Sequence, residues 1–286
     1  AMGAVPSREE TVDDLMIHAG GKVFVFSKRD GRLKYVRIGE RTIHLGNGPR
    51  FIAARRADRS LDQFYNHDDE KAKEKDRTYS EFPDAAVFTK LDVKQDGGDL
   101  IVTANYKLGN LDKAQWTINP SGDLALDYTY NFSGVVDLMG IRFDYPEDQV
   151  ISKRWLGAGP YRVWQNRIHG TQYDVWENNY NDPIPGETFT YPEFKGYFGD
   201  VSWMNIQTKE GTISLTNETP DTYIGVYQPR DGRDRLLYTL PESGISVLNV
   251  IPPVRNKVNS TDLCGPSSQP KWVNGPQTGR VIFRFM

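Results

Sequence analysis

Three of the six tryptophans, Trp155, Trp164 and Trp176, fall between residues 154 and 182, interleaved with Arg162, Asn166, Arg167 and His169. A sugar offers a ring of C–H on one face and hydroxyls at its rim. Aromatic faces beside forked donors and amides suit both features. The same rings would equally serve to cover the end of a β-sandwich. Gly157, Gly159 and Pro160 break the strand that precedes them, so an irregular surface segment is predicted after it rather than a sheet.

Acid–base chemistry on a sugar needs a general acid and a general base, commonly Glu and His. His169 stands in the aromatic stretch, whereas His18, His44 and His67 have isolated, loop-like settings. Glu187, Glu193 and Asp200 follow among aromatics and glycines, yet nothing in their spacing pairs them, and each also reads as an ordinary surface carboxylate. No His-x3-His, Cys-x2-Cys or EF-hand pattern occurs, so no metal site is expected. Gly157-x-Gly159 lacks a following helix and does not read as a phosphate cradle. No cofactor is expected. Asn131, Asn217 and Asn259 head glycosylation triplets, which arise often by chance.

The elements that must position these groups read as strands. Lys22–Ser27 and Leu33–Ile38 flank Asp30-Gly31, a tight-turn signal for a hairpin. Short β-rich runs follow at 86–93, 99–106, 114–118 and 123–132, separated by Gly, Asn, Asp and Pro clusters. In the last run Leu124, Leu126, Tyr128, Tyr130 and Phe132 share one face at period 2. Further runs at 141–145, 150–156, 203–207, 212–216, 223–227, 245–251 and 281–285 complete an all-β pattern of antiparallel sheets packed face to face. Residues 55–84 hold the most charged window, of mixed sign and without helical periodicity. They read as a surface excursion, either a solvated helix or a long loop.

With 286 residues, 38% hydrophobic and 12% aromatic, the chain can bury a substantial core. A formal charge of −3 and a pI near 5.9 give no electrostatic case for nucleic acid or an anionic membrane. No apolar run approaches the roughly 18 residues of a membrane span. Cys264, the single cysteine, excludes an internal disulfide without fixing a compartment. The charged, apolar-poor start does not read as a signal peptide. Residues 1–19 are expected to be an N-terminal tail or cloning remnant, with one domain over 20–286.

Trp155-Leu-Gly-Ala-Gly-Pro160 followed by Asn166-Arg167 resembles the Trp-Leu-Gly-x-Gly-Pro…(Asp/Asn)-Arg segment of the C-terminal small-chain domain of glycoside hydrolase family 2 β-galactosidases. The opening hairpin is similar, and Pro192, Gly196 and Asp200 match a later stretch loosely. Arg56-Ala57-Asp58-Arg59-Ser60-Leu61-Asp62 departs from the family's Arg-Ala-Pro-x-Asp-Asn-Asp and transfers no role to Asp58 or Asp62. The resemblance implies a galactose mutarotase-like β-supersandwich. It also implies a final loop whose tryptophan, here Trp272, reaches the sugar pocket of a catalytic barrel. This loop lacks the family's Gly-Gly-Asp-Asp-Ser-Trp run.

A retaining glycosidase needs two carboxylates about 5–5.5 Å apart. The family's pair lies on a TIM barrel, for which this chain has no βα repeat. The expectation is therefore an accessory domain with no catalytic residues of its own. Trp272, Trp164, Arg162, Asn166, Arg167, His169 and Glu193 would face an oligosaccharide or β-galactoside, and the partner would be an upstream catalytic domain of the same polypeptide. A leader on that parent would make it periplasmic or extracellular. Two alternatives stay open. One is a free-standing carbohydrate-binding module with Trp164, Trp176 and Trp272 as an exposed platform. The other is a mutarotase-type aldose epimerase using His169 and a glutamate.

Overall fold

The computed structural model describes residues 3–56, 79–179, 196–227, 240–253 and 266–286. Asp58, Asp62, His67, Glu187, Pro192, Glu193 and Cys264 lie outside the described residues, as does most of the charged window.

The described chain is built from antiparallel strands, with only short 3-10 turns besides. The first five, β1 (Ser7–Glu10), β2 (Asp14–Ala19), β3 (Lys22–Ser27), β4 (Leu33–Ile38) and β5 (Arg41–Ile43), make a meander in sequence order. At the turn between β3 and β4, Gly31 has φ +73 and its N–H donates to the Ser27 carbonyl at 2.8 Å. A Cβ on Gly31 would stand 2.6 Å from the Phe88 ring, so close approach and positive φ both call for glycine.

A nine-stranded sheet forms the centre. Its strands are β8 (Val87–Asp96), β9 (Asp99–Lys107), β10 (Leu111–Ile118), β11 (Leu124–Asn131), β14 (Val150–Gly159), β15 (Gln172–Asn179), β16 (Trp203–Thr208), β17 (Thr212–Asn217) and β21 (Pro276–Phe285). They run in the order β15-β14-β16-β17-β21-β11-β10-β9-β8. Leu124, Leu126, Tyr128 and Tyr130 of β11 are all buried, with Phe132 packed at the margin, as period 2 requires.

A second five-stranded sheet has the order β18-β19-β13-β6-β7, from β6 (Arg50–Arg56), β7 (Tyr79–Glu81), β13 (Leu138–Phe143), β18 (Tyr223–Val226) and β19 (Ile245–Val250). A two-stranded ribbon joins β12 (Gly134–Val136) to β20 (Lys271–Val273). The main core draws Leu15, Ile17, Phe24 and Phe26 from the meander. It draws Trp116, Leu126 and Phe283 from the central sheet, and Phe51, Ala53, Met139 and Ile141 from the second sheet. The second sheet carries an apolar set on its other face too. Ile52, Ala54, Leu138 and Leu248 pack there under Val163, Trp164, Tyr197, Leu240 and Ile251.

Two expectations are corrected. Residues 7–19 are not a tail, because β1 and β2 pair within the meander and Leu15 and Ile17 are buried in the core. Gly157 and Gly159 do not break β14, which runs through them and pairs with β15 from Gln172 onward. The glycines are there for contact. A Cβ on Gly159 would stand 2.4 Å from the Trp176 ring, and one on Gly157 would stand 3.0 Å from the carbonyl oxygens of Gly199 and Asp200. Only residues 160–171 are irregular.

Candidate functional site

The stretch expected to meet a sugar divides between inside and outside. Trp155 is fully buried, its indole N–H donating to the Ala158 carbonyl at 3.0 Å and its ring edge-on to Phe198 at 4.8 Å. Trp164 is also fully buried, edge-on to Tyr197 at 5.6 Å. It has no exposed face, so the platform of Trp164, Trp176 and Trp272 does not form. Arg162 is buried with its guanidinium 5.7 Å from the Phe198 ring, and Lys153 approaches the same ring at 5.9 Å. Trp176 is half-buried against Gly159, its indole donating to the Gln172 carbonyl at 3.3 Å. Asn166 is half-buried, while Arg167 and His169 are exposed on the turn that follows.

A tight turn holds this segment, with the Trp164 and Arg167 backbones exchanging hydrogen bonds of 3.3 and 2.9 Å. Gln165, which the sequence did not single out, ties the turn to the C-terminal segment. Its side-chain amide donates to the carbonyls of Ser267 and Gln269, each at 2.7 Å, and its backbone N–H donates to Pro252 at 3.1 Å. That segment leads into β20 and Trp272. Trp272 does not sit on a loop: it lies on the β12–β20 ribbon opposite Val135, with 71% of its surface exposed. Immediately after β12, Asp137 accepts the Arg56 backbone N–H at 2.7 Å and donates its own N–H to the Ala54 carbonyl at 2.9 Å. Arg56 and Asp137 are both buried. One end of the second sheet therefore gathers Arg56, Asp137, the 161–167 segment and the Trp272 ribbon.

Burial sets the local proton affinities. Tyr197 is buried and Tyr223 half-buried, and desolvation pushes both phenols above their ordinary value. The sheet face between the two ends is apolar. Ile52, Ala54, Leu138 and Leu248 occupy it, with Tyr223 beside Leu248 in the ladder. The described histidine–carboxylate contacts lie elsewhere. His44 Nδ1 is 2.7 Å from Glu210 Oε1, whose other oxygen accepts the Tyr145 hydroxyl at 2.9 Å, and His18 is 3.2 Å from Glu9 on the meander edge. His44 is thus not isolated. It joins the meander to the central sheet. The missed buried cation Lys153 had a readable signal, because at period 2 it shares a face with Trp155.

This arrangement of antiparallel sheets is a galactose mutarotase-like supersandwich. The galactose 1-epimerase from Lactobacillus acidophilus shares it, at TM-score 0.51 and 9% identity over 100% of this chain and 99% of that one. The α-N-acetylgalactosaminidase of Bifidobacterium bifidum overlaps 95% of this chain and 35% of its own, at 14% identity and TM-score 0.45. A mutarotase homologue from Salmonella typhimurium overlaps 98% of this chain and 92% of its own, at 11% identity and TM-score 0.40. No curated protein sequence matches the chain. The family described as beta galactosidase small chain matches over residues 18–252, and the protein belongs to that family.

Proposed function

We propose that this domain is the sugar-facing wall of a family 2 glycoside hydrolase of β-galactosidase type, with the reacting carboxylates supplied by a catalytic barrel of the same polypeptide. The observation that carries this reading is Trp272, a large indole left 71% exposed on a short ribbon. An indole so placed has a whole face to offer a sugar ring or a neighbouring domain. Asn166 and Arg167 sit on the turn that Gln165 fastens to the segment entering that ribbon, and they would supply amide and guanidinium donors to hydroxyls. Membership of the small-chain family supports the same reading.

The aldose epimerase alternative shares the fold and would need His169 and a glutamate to converge on one sugar. His169 projects from an exposed turn, and the face between the sheet ends is apolar. Glu193, its glutamate candidate and a proposed sugar contact, lies outside the described residues.

The test is a lactose titration of tryptophan fluorescence in wild type and Trp272→Ala. An exposed indole emits to the red of buried ones, so the Trp272 component is resolved as a difference spectrum. We expect a saturable change on the order of millimolar affinity, equivalent to about −4 kcal/mol, that disappears in Trp272→Ala. An unchanged response in the variant would remove Trp272 from the site. Polarimetry on fresh α-galactose separates the epimerase: a rate above buffer would mean that the chain does its own chemistry.

A further inference from the structure

At the opposite end of the second sheet lies a cleft of about 500 Å³, lined by Arg50, Arg142, Asp144, Glu147, Glu242 and neighbouring residues. We propose that this cleft is a second saccharide site, which takes a neutral mono- or disaccharide through its arginine and carboxylate groups and is independent of Trp272.

The strand pattern explains why charge collects here. Along β6, Arg50, Ile52, Ala54 and Arg56 share one face, and Arg142 of β13 stands directly opposite Arg50 in the ladder. Two guanidinium groups facing each other repel unless carboxylates intervene. Asp144 intervenes, with Oδ2 accepting from Arg50 Nη1 at 2.7 Å and Oδ1 3.6 Å from Arg142 Nε. Asp84 stands 3.5 Å from Arg50 Nε, and Glu81 stands 3.7 Å from Arg142 Nη1. Arg142 also donates to the Glu242 carbonyl. The guanidinium groups are therefore held in fixed positions. These contacts run through Nε and Nη1 of each guanidinium.

The ligand class follows by elimination. Two arginines against Asp144, Glu147 and Glu242 leave the lining one unit negative, which disfavours a phosphate or carboxylate ligand. Among the described residues no group of three His, Cys, Asp or Glu side chains could hold a metal ion. What remains is a ligand whose groups both donate and accept. Vicinal hydroxyls do this, taking hydrogen bonds from guanidinium N–H and giving them to carboxylate oxygens. The volume falls within the ~300–1,000 Å³ of small-molecule sites. Arg50 and Arg56 are six strand positions apart, so the two ends of this face are roughly 20 Å apart.

The experiment is a lactose titration of the ¹⁵N-labelled protein, following the amide signals of Ser243 and Gly244 in the cleft wall. Inorganic phosphate and Mg²⁺ serve as counter-probes. We expect lactose to move these signals saturably in wild type and equally in Trp272→Ala. Glu242→Gln, a change at an exposed side chain, should weaken the affinity about tenfold by replacing a charge-assisted acceptor with a neutral one. Glu147→Gln is a second variant with the same expected direction. The proposal is overturned if lactose leaves both signals unmoved, if neither variant weakens binding, or if phosphate or Mg²⁺ moves the signals instead. Loss of the fluorescence response with the cleft signals intact would defeat the Trp272 reading alone. The reverse pattern would defeat this one alone.

Discussion

The motif that carries the family resemblance also makes the sharpest claim about architecture. Trp155 is fully buried, packs edge-on to Phe198 and gives its indole N–H to Ala158. Replacing it with alanine removes most of a large side chain from beneath a strand that cannot collapse inward, because Gly157 already touches the Gly199–Asp200 backbone. Trp→Ala in such a setting costs about 3–5 kcal/mol, and the orphaned Ala158 carbonyl adds about 1 kcal/mol or more. Against a total of about 5–15 kcal/mol, the variant should lose a large part of its stability. Urea unfolding followed by far-ultraviolet circular dichroism measures this as a lowered midpoint at unchanged slope. The refuting pattern is a midpoint within about 1 kcal/mol of wild type together with a lost lactose response. That would make Trp155 a ligand contact and the motif a binding motif. Trp272→Ala should behave in the opposite way, shifting the midpoint little while changing the fluorescence titration.

Two further outcomes follow from packing and from burial. Gly279 faces Tyr128 across the β11–β21 ladder, and a Cβ there would stand 2.1 Å from the Tyr128 hydroxyl oxygen, so Gly279→Ala should cost about 1–3 kcal/mol. Tyr128→Phe in the same chain should restore part of that loss, since it removes the atom nearest to the added Cβ; additive losses in the double-mutant cycle would refute the contact. Burial pushes the Tyr106 phenol up to about 12 and raises Tyr128, Tyr130 and Tyr197 likewise. These groups stay protonated when folded but ionise near pH 10 when unfolded, so the unfolded state binds fewer protons above that pH. Stability is therefore fully present below about pH 10 and falls above it, by up to about 1.4 kcal/mol per pH unit for each such tyrosine. Urea midpoints measured from about pH 9 to about pH 11.5 check this, and a flat or rising profile would contradict the burial.

Strands whose two faces differ were legible in the sequence. In β11 the buried Leu126, Tyr128 and Tyr130 alternate with less buried residues, and the Asp30-Gly31 hairpin has the bounds its residues announce. Strands without such contrast were not. β1 is exposed along its whole length, and β15 is an edge strand with nearly all of its side chains in solvent, so neither shows an apolar alternation. The glycines of the Trp155 motif look like breakers in the sequence, which does not show what approaches them. Gly159 is occupied from outside by Trp176. Residue type is equally silent on which tryptophan faces water: Trp164 and Trp272 look alike in sequence, yet one is buried against Tyr197 and the other stands open on its ribbon. The paired charges at the cleft come from β6, β7 and β13, elements far apart in the chain, and only the ladder register brings them together.

Among the described residues, polar and apolar groups are sorted along the second sheet. Its middle, at Ile52, Ala54, Leu138 and Leu248, is apolar and lies beneath Trp164 and Tyr197. An ionised acid or base placed there would pay several kcal/mol for desolvation unless the 161–167 segment lifted away. Lifting it would break the three hydrogen bonds by which Gln165 fastens it to Pro252, Ser267 and Gln269. The polar groups fall instead at the two ends of the face, Arg56 and Asp137 toward the Trp272 ribbon and Arg50, Arg142 and Asp144 at the cleft. A covered middle with polar ends is the arrangement that the proposed wall, gripping hydroxyls at its margins, would need.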